Sequence, residues 1–263
     1  IPSRRERLLA MVTNSLVPCN GRFPFLALCA GLLGTLCFGN HTILSSLFVL
    51  GAICLGIGMT LLVTKLLSVT ILKGTSASFV LELPPYRMPR IRQILVRSLL
   101  DRTLFILGRA VCVAIPAGIL IWILAHIEIG GQSLLSHCVY FLDPLGQVLG
   151  LDGVILMGFL LGLPANEIVL PIMLMGYMGS QVLTESSTVM MSQILLSNGW
   201  TVLTLINVMI LCLFHSPCTT TILTIYKESR SLIWTILAIL IPMSIGMVLC
   251  LLTHGIWILV GMG

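Results

Sequence analysis

A carboxylate, an amide and two prolines interrupt an otherwise apolar, membrane-length segment at Gly162-Leu-Pro-Ala-Asn-Glu-Ile-Val-Leu-Pro171. A carboxylate at membrane depth costs several kcal/mol unless it is paired, protonated or bound to a cation. Glu167, with Asn166 beside it, is therefore a candidate ligand for a transported cation; the plainer reading is a kink whose carboxylate is satisfied by its neighbours. The second candidate is Phe214-His-Ser-Pro-Cys-Thr-Thr-Thr221. His215 and Cys218 are three apart and would share one face of a helix, and Pro217 frees the carbonyl that its missing N–H would have bonded. Imidazole, thiol, hydroxyl and a loose carbonyl together suit a borderline transition metal. Val17-Pro-Cys19 repeats the Pro-Cys pair at what reads as another membrane mouth. Met173, Met175 and Met178 carry soft sulfur, but packing is the ordinary use of methionine.

Such side chains need irregular backbone to hold them. Pro164 and Pro171 each remove a donor and clash with the preceding turn, so a helix over Leu151 to Met178 should break. Non-helical backbone persists at membrane depth only where protein buries it or water reaches it, and discontinuous helices meeting at mid-membrane are how transporters form substrate sites. The rest of the chain supplies the elements around that break. Arg4, Arg5 and Arg7 open a short basic helix, and a turn over 17–22 follows. Phe23 to Phe38 and Ile43 to Leu67 are apolar spans joined by a tight reversal at Gly39-Asn-His-Thr42; the first is short enough to need its flanks. Residues 68–103 leave the membrane as a linker, with three prolines between Glu82 and Pro89, and an amphipathic helix in which Ile91, Leu95 and Leu99 oppose Arg90, Arg97 and Asp101. Leu104 to Ala125, Trp200 to Thr220 and Leu232 to Leu259 are further apolar elements. The expected fold is all-α, a polytopic transmembrane helix bundle with a broken, re-entrant helix. Its single domain divides into the basic helix and two-helix hairpin (1–67), the linker and cytoplasmic amphipathic helix (68–103), and a helical region holding the broken helix 151–178 (104–263).

Composition points the same way. Hydrophobic residues make up 57% of the chain and charged residues 9%, with a mean hydropathy of +1.11, too few charges to cover a soluble domain of this size. The net charge of +5 is informative by position. Lys and Arg fall within Arg4 to Arg22, Lys65 to Arg109, and Lys227 with Arg230, whereas Val111 to Tyr226 holds Glu128, Asp143, Asp152, Glu167 and Glu185 and no Lys or Arg. Basic segments mark the cytoplasmic side. A single crossing by Leu151 to Met178 would leave Lys227 and Arg230 outside, so that segment should enter and return. The basic clusters flank apolar spans, which makes the lipid bilayer their partner and argues against nucleic acid. Nine cysteines without a CxxC pair read as small apolar residues rather than a disulfide framework. The start Ile-Pro-Ser-Arg-Arg is no signal peptide, and the chain reads as a piece of something longer.

One ordered set of segments is similar to the carboxy-terminal membrane part of FeoB-type ferrous iron transporters: Arg4 to Leu8, Pro18-Cys-Asn-Gly-Arg22, Glu82 to Pro89, Asp143-Pro-Leu-Gly146, Gly162 to Pro171, Asn198-Gly-Trp-Thr201, His215-Ser-Pro-Cys218 and Ile225 to Leu232. The resemblance implies a prokaryotic inner-membrane protein that takes up Fe(II) as its substrate. It implies as partners a GTP-binding domain of the same full-length protein and small Feo accessory proteins, and it leaves a homo-oligomer open. It makes 104–263 gate-like and matches Cys19 and Cys218 to cysteines suspected of handling iron. The expected metal-handling set is Glu167, Cys218, His215, Cys19 and Asn166. Without a G-x-x-x-x-G-K-[ST] sequence no nucleotide site is expected in this piece, and no catalytic activity of its own. The chain departs from the family pattern at Ser216, where a large aromatic is common, and at Asn20-Gly21, where Ser-Ala is common. Two other classes compete: a gate-fold permease for a nucleoside or other organic solute, and a non-transporting membrane scaffold.

Overall fold

The computed structural model describes residues 3–39, 42–72, 90–179 and 188–261; the proline-rich stretch 82–89, positions 40–41 of the reversal, and Glu185 lie outside the described residues. The chain begins with α1 (Arg4–Thr13), α2 (Phe23–Phe38) and α3 (Thr42–Thr70), then α4 (Ile91–Arg97) and α5 (Phe105–His126). A two-residue antiparallel β-hairpin (Glu128–Ile129 with Gln132–Ser133) leads into α6 (Leu134–Val148), α7 (Gly153–Leu161), α8 (Val169–Met178) and α9 (Thr188–Ser197). The last three helices are α10 (Val202–Leu213), α11 (Thr219–Ser229) and α12 (Leu232–Leu259). Among the described residues, four helical stretches are long and apolar enough to cross a membrane, or six if each sharply bent pair counts as one.

Two interrupted helix pairs, α1 with α2 and α10 with α11, each lie against an unbroken helix. α1 and α2 together make an apolar stretch over Arg4–Cys37 that runs antiparallel to α3. A Cβ on Gly34 would meet Ser45, one on Gly56 would sit 2.9 Å from Leu16 O, and the Arg5 guanidinium bonds the carbonyls of Ser68 and Leu72. The basic helix is therefore the first half of a span. Only its first turn is charged, while Leu8, Leu9 and Val12 are buried. The break lies opposite Gly56, midway along α3, so Cys19 sits at mid-depth and not at a mouth. In the same way α10 and α11 together run antiparallel to α12, with Gly246 against Phe214 and Cys250 Sγ 3.4 Å from Asn207 O.

Between them α7 and α8 fold back on each other. A Cβ on Gly158 would stand 2.6 Å from Met173 Cγ and one on Gly162 2.2 Å from Val169 Cγ2, so these glycines let the two helices touch. The segment enters and returns, as the charge distribution requires. Pro164 lies in the break, but Pro171 does not break anything. It is the third residue of α8, in a first turn where the fixed φ of proline is tolerated. The amphipathic α4 is also not a separate element: a π-helical turn over Ser98–Leu104 joins it to α5.

The charges sort by end. Arg4, Arg5 and Arg7, the C-terminal end of α3 with Lys65, and the α11–α12 turn with Lys227 and Arg230 share one end; Arg7 and Glu228 line one groove there. The α7–α8 hairpin opens at the opposite end, where the Tyr177 hydroxyl donates to Asp152 and accepts from Trp200 Nε1 at 2.8 Å. Arg22 departs from this division, as does Glu167: the Arg22 side chain is 3% exposed and bonds Leu213 O at the break between α10 and α11.

Candidate functional site

Three chain interruptions, each with its own proline, meet at mid-depth: Pro18 between α1 and α2, Pro164 between α7 and α8, and Pro217 between α10 and α11. Thr219 donates its N–H and its hydroxyl to Leu163 O, both at 3.2 Å, tying the hairpin tip to the start of α11. The buried Asn166 amide reaches the other two breaks. Its Nδ2 lies 3.8 Å from Cys19 Sγ and its Oδ1 3.3 Å from His215 Nδ1. Cys19, Asn166, Glu167 and Cys218 line one cavity of about 410 Å³, whose opposite wall is the apolar face of α5 formed by Ala110, Ala114, Ala117, Gly118 and Ile121. His215 stands one layer behind, 4% exposed, its ring 5.2 Å from that of Phe159. Four of the five expected residues thus share the cavity wall, and the fifth holds one of them.

Each break presents the start of a helix to this cavity. Cys19 and Cys218 are the N-cap residues of the turn Asn20–Arg22 and of α11, and Glu167 lies in the first turn of the 3-10 segment Asn166–Ile168. Helix starts favour negatively charged groups, which suits the Glu167 carboxylate and the two sulfurs. The Cys218 sulfur has the Thr220 and Thr221 hydroxyls at 3.1 and 3.2 Å. Glu167 is exposed and lies across Gly21, where a Cβ would be 2.9 Å from its Cγ. Among the described residues no three His, Cys, Asp or Glu side chains form a closed metal cage. One carboxylate and two sulfurs are spread around the cavity wall rather than gathered at one point.

Arg22 is the residue that the sequence pattern conceals. It counts there with the basic cluster that marks one side of the membrane, but its guanidinium is buried among four backbone carbonyls. Nη1 donates to Leu213 O at 3.0 Å and Ser15 O at 3.4 Å, and Nη2 to His215 O and Ser216 O, both at 2.8 Å. Leu213 O is the carbonyl freed by Pro217, so it is engaged by Arg22 and is no loose donor for a metal. The one local signal for Arg22 was its position, immediately before an apolar span. Among the described residues, the two buried side-chain polar atoms without a partner are Arg22 Nε and Ser216 Oγ, both at this junction. Of the remaining cysteines and the three methionines noted above, Cys29, Cys212, Cys250, Met173 and Met175 are buried in the core, Cys138 is half-buried, and Cys37, Cys54, Cys112 and Met178 are exposed.

Residues 49–101 match the family described as Ferrous iron transport protein B C terminus, and 107–232 match a Gate family described as Nucleoside recognition. The Fe(2+) transporter FeoB of Staphylococcus aureus is 30% identical over 97% of this chain and 37% of its own length. A Porphyromonas gingivalis Fe(2+) transport protein A/Fe(2+) transporter FeoB fusion protein is 23% identical over 98% of the chain and 35% of its own length. The Leptospira interrogans Fe(2+) transporter FeoB is 23% identical over 89% and 36%. The chain spans just over a third of the length of these curated relatives. No solved structure matches it.

Proposed function

Because the chain belongs to the FeoB-type family, as a carboxy-terminal membrane part, we propose that it carries ferrous iron across the inner membrane of a prokaryotic cell. The observation that supports this most is the convergence of Cys19, Glu167 and Cys218, from three separate breaks, on one mid-depth cavity. Glu167 supplies the charge that makes a divalent cation tolerable at that depth. The two sulfurs supply softer donors, to which Fe(II) binds readily, and Asn166 and His215 support them. Iron is the substrate and passes through. A GTP-binding domain in the same full-length protein would gate or drive that passage. A small accessory protein is a further partner, a reading supported by the fusion named in the Porphyromonas relative. The basic end faces the cytoplasm and the hairpin opens outward. A nucleoside is the weaker substrate, because among the described residues that line the cavity there is no aromatic ring on which a base could stack.

Uptake of radioactive iron by cells carrying the full-length protein tests the reading. Glu167→Gln and Cys218→Ser should each lower the initial rate roughly tenfold or more, given the cost of a cation at this depth without its ligands, at unchanged membrane abundance. Cys112→Ser, at an exposed position on α5 beside a different groove, should leave the rate intact. Equal, mild losses at all three positions would reduce Glu167 to a carboxylate that only shapes the kink.

A further inference from the structure

We infer that Arg22 is a positioning residue that holds the two Pro-Cys breaks in one register, so that Cys19 and Cys218 face the same cavity; the inference rests on the reading of that cavity as an iron site. The starting point is backbone arithmetic. Pro217 has no N–H to give Leu213 O, and the irregular stretch after it leaves the carbonyls of His215 and Ser216 turned away from any helix ladder. Inside a bilayer each unpaired carbonyl is costly, because no water is there to take its place. Arg22 answers all three from one plane and adds Ser15 O, at the end of the first half-helix. A guanidinium can do this because its donors leave a rigid fork in fixed directions. Its charge also sits where half-helices end, and helix C-termini favour cations.

The tie reaches the sulfurs directly. Arg22 N donates to Cys19 O at 3.0 Å, so Arg22 and Cys19 belong to one turn. Cys218 follows Ser216 by two residues. The guanidinium therefore connects the turn carrying one sulfur to the strand of backbone carrying the other, across 194 positions of sequence. Without it, the freed carbonyls must find other donors, either by local rewinding or by admitting water, and both turn Cys218 relative to Cys19. Lysine offers a flexible ammonium that cannot serve four carbonyls in a plane. Gln keeps two donors and loses the charge.

The test is cross-linking, which needs no iron. Full-length protein retaining only Cys19 and Cys218 is reconstituted in liposomes and treated with a short bifunctional methanethiosulfonate. The yield of the Cys19–Cys218 link is measured per folded molecule, with folding judged by a monodisperse elution profile. The link should form efficiently with Arg22 in place. It should fall several-fold in Arg22→Lys and further in Arg22→Gln, while single labelling of Cys218 continues. Pro217→Ala returns an N–H to Leu213 O, takes one acceptor from Arg22 and should lower the yield as well; it decides the matter if Arg22→Lys does not accumulate. Unchanged yield in folded Arg22→Lys, or in Pro217→Ala when Arg22→Lys fails to fold, would make Arg22 a stabilising residue only and overturn the inference. Efficient linking that Fe(II) does not protect against would sink the iron reading and leave the positioning role standing.

Discussion

Polar groups gather at two depths in this molecule, and the two gatherings are built differently. Toward the end where the α7–α8 hairpin opens, the network is closed. Asp152 caps α7 through Ile155 N and receives the Tyr177 hydroxyl, which receives Trp200. Asn207, fully buried, donates to Leu149 O and accepts from the Thr253 hydroxyl, and His254 Nδ1 meets Val148 O at 2.8 Å. These groups use one another up. At the mid-depth junction the backbone is equally well tied, by Arg22 and Thr219, and Asn166 and Cys218 have partners, but two other side chains on the cavity wall, Glu167 and Cys19, are left largely free. Glu167 has no hydrogen-bond partner among the described residues, and Cys19 has only a long contact from Asn166. Inside a membrane an unsatisfied polar group is expensive, so spare bonding capacity, rather than polarity, separates a site from a brace.

The sharpest way to break that comparison is topological, with an all-or-none outcome. The closed network must lie toward the face opposite the basic end, with the junction between them. Single cysteines at Ser68, Lys227 and Gln132, in a cysteine-free background, are labelled from either side with an impermeant maleimide. Positions 68 and 227 should react from one side and 132 from the other. Reaction of 227 from the same side as 132 would turn the hairpin into a full crossing and dissolve the two-depth arrangement.

The second prediction separates brace from site by energy. Gly150 has φ +68°, and a Cβ there would lie 2.8 Å from Asn207 Nδ2 and 3.3 Å from His254 Cγ. Gly150→Ala is strained by its backbone alone and also displaces the buried amide from Leu149 O. The expected loss is on the order of 2 kcal/mol, seen as a lower thermal midpoint of the purified protein. Iron uptake per folded molecule should stay near that of the parent. A drop in uptake without a drop in stability would assign the closed network to transport.

Much of this was legible from residue types and spacing. Pro164 marked a break, but a missing N–H alone does not decide one, since Pro116, Pro144 and Pro242 lie inside unbroken helices; His215 and Cys218, expected to share a helix face, lie instead in the irregular stretch 214–218. Phe23–Phe38 and Leu232–Leu259 appeared with their observed limits, since uninterrupted apolar runs leave little else to decide. The re-entrant hairpin followed from the placement of Lys227 and Arg230. The unread parts are those set by distant partners. α1 looked like a surface helix because three arginines dominate its first turn, while the burial of Leu8, Leu9 and Val12 depends on the rest of the bundle. Cys19 was misplaced to a mouth for the same reason. Arg22 could not be told from its solvated neighbours, because its acceptors at 213, 215 and 216 are set by tertiary structure. Pro171 did not break a helix because it falls in the first turn of α8.

The smallest expected effect probes the open side of the comparison directly. Glu167 lies over Gly21, at the position where the FeoB-type pattern commonly has alanine. A Cβ there would be 2.9 Å from Glu167 Cγ and 3.1 Å from Oε1, closer than carbon atoms sit at their optimum. Something must give, and the part that can is the carboxylate arm, which no hydrogen bond holds. Gly21→Ala should therefore shift Glu167 within the cavity at little cost in stability, because the side chain has other rotamers to adopt. In full-length protein the initial rate of iron uptake should change by less than about threefold, while the iron concentration giving half-maximal uptake moves measurably, as expected for a ligand displaced but not lost. A loss as deep as that of Glu167→Gln would mean that the carboxylate is held rigidly after all. The open site would then be as closed as the brace above it, and the difference between the two regions would lie in chemistry alone.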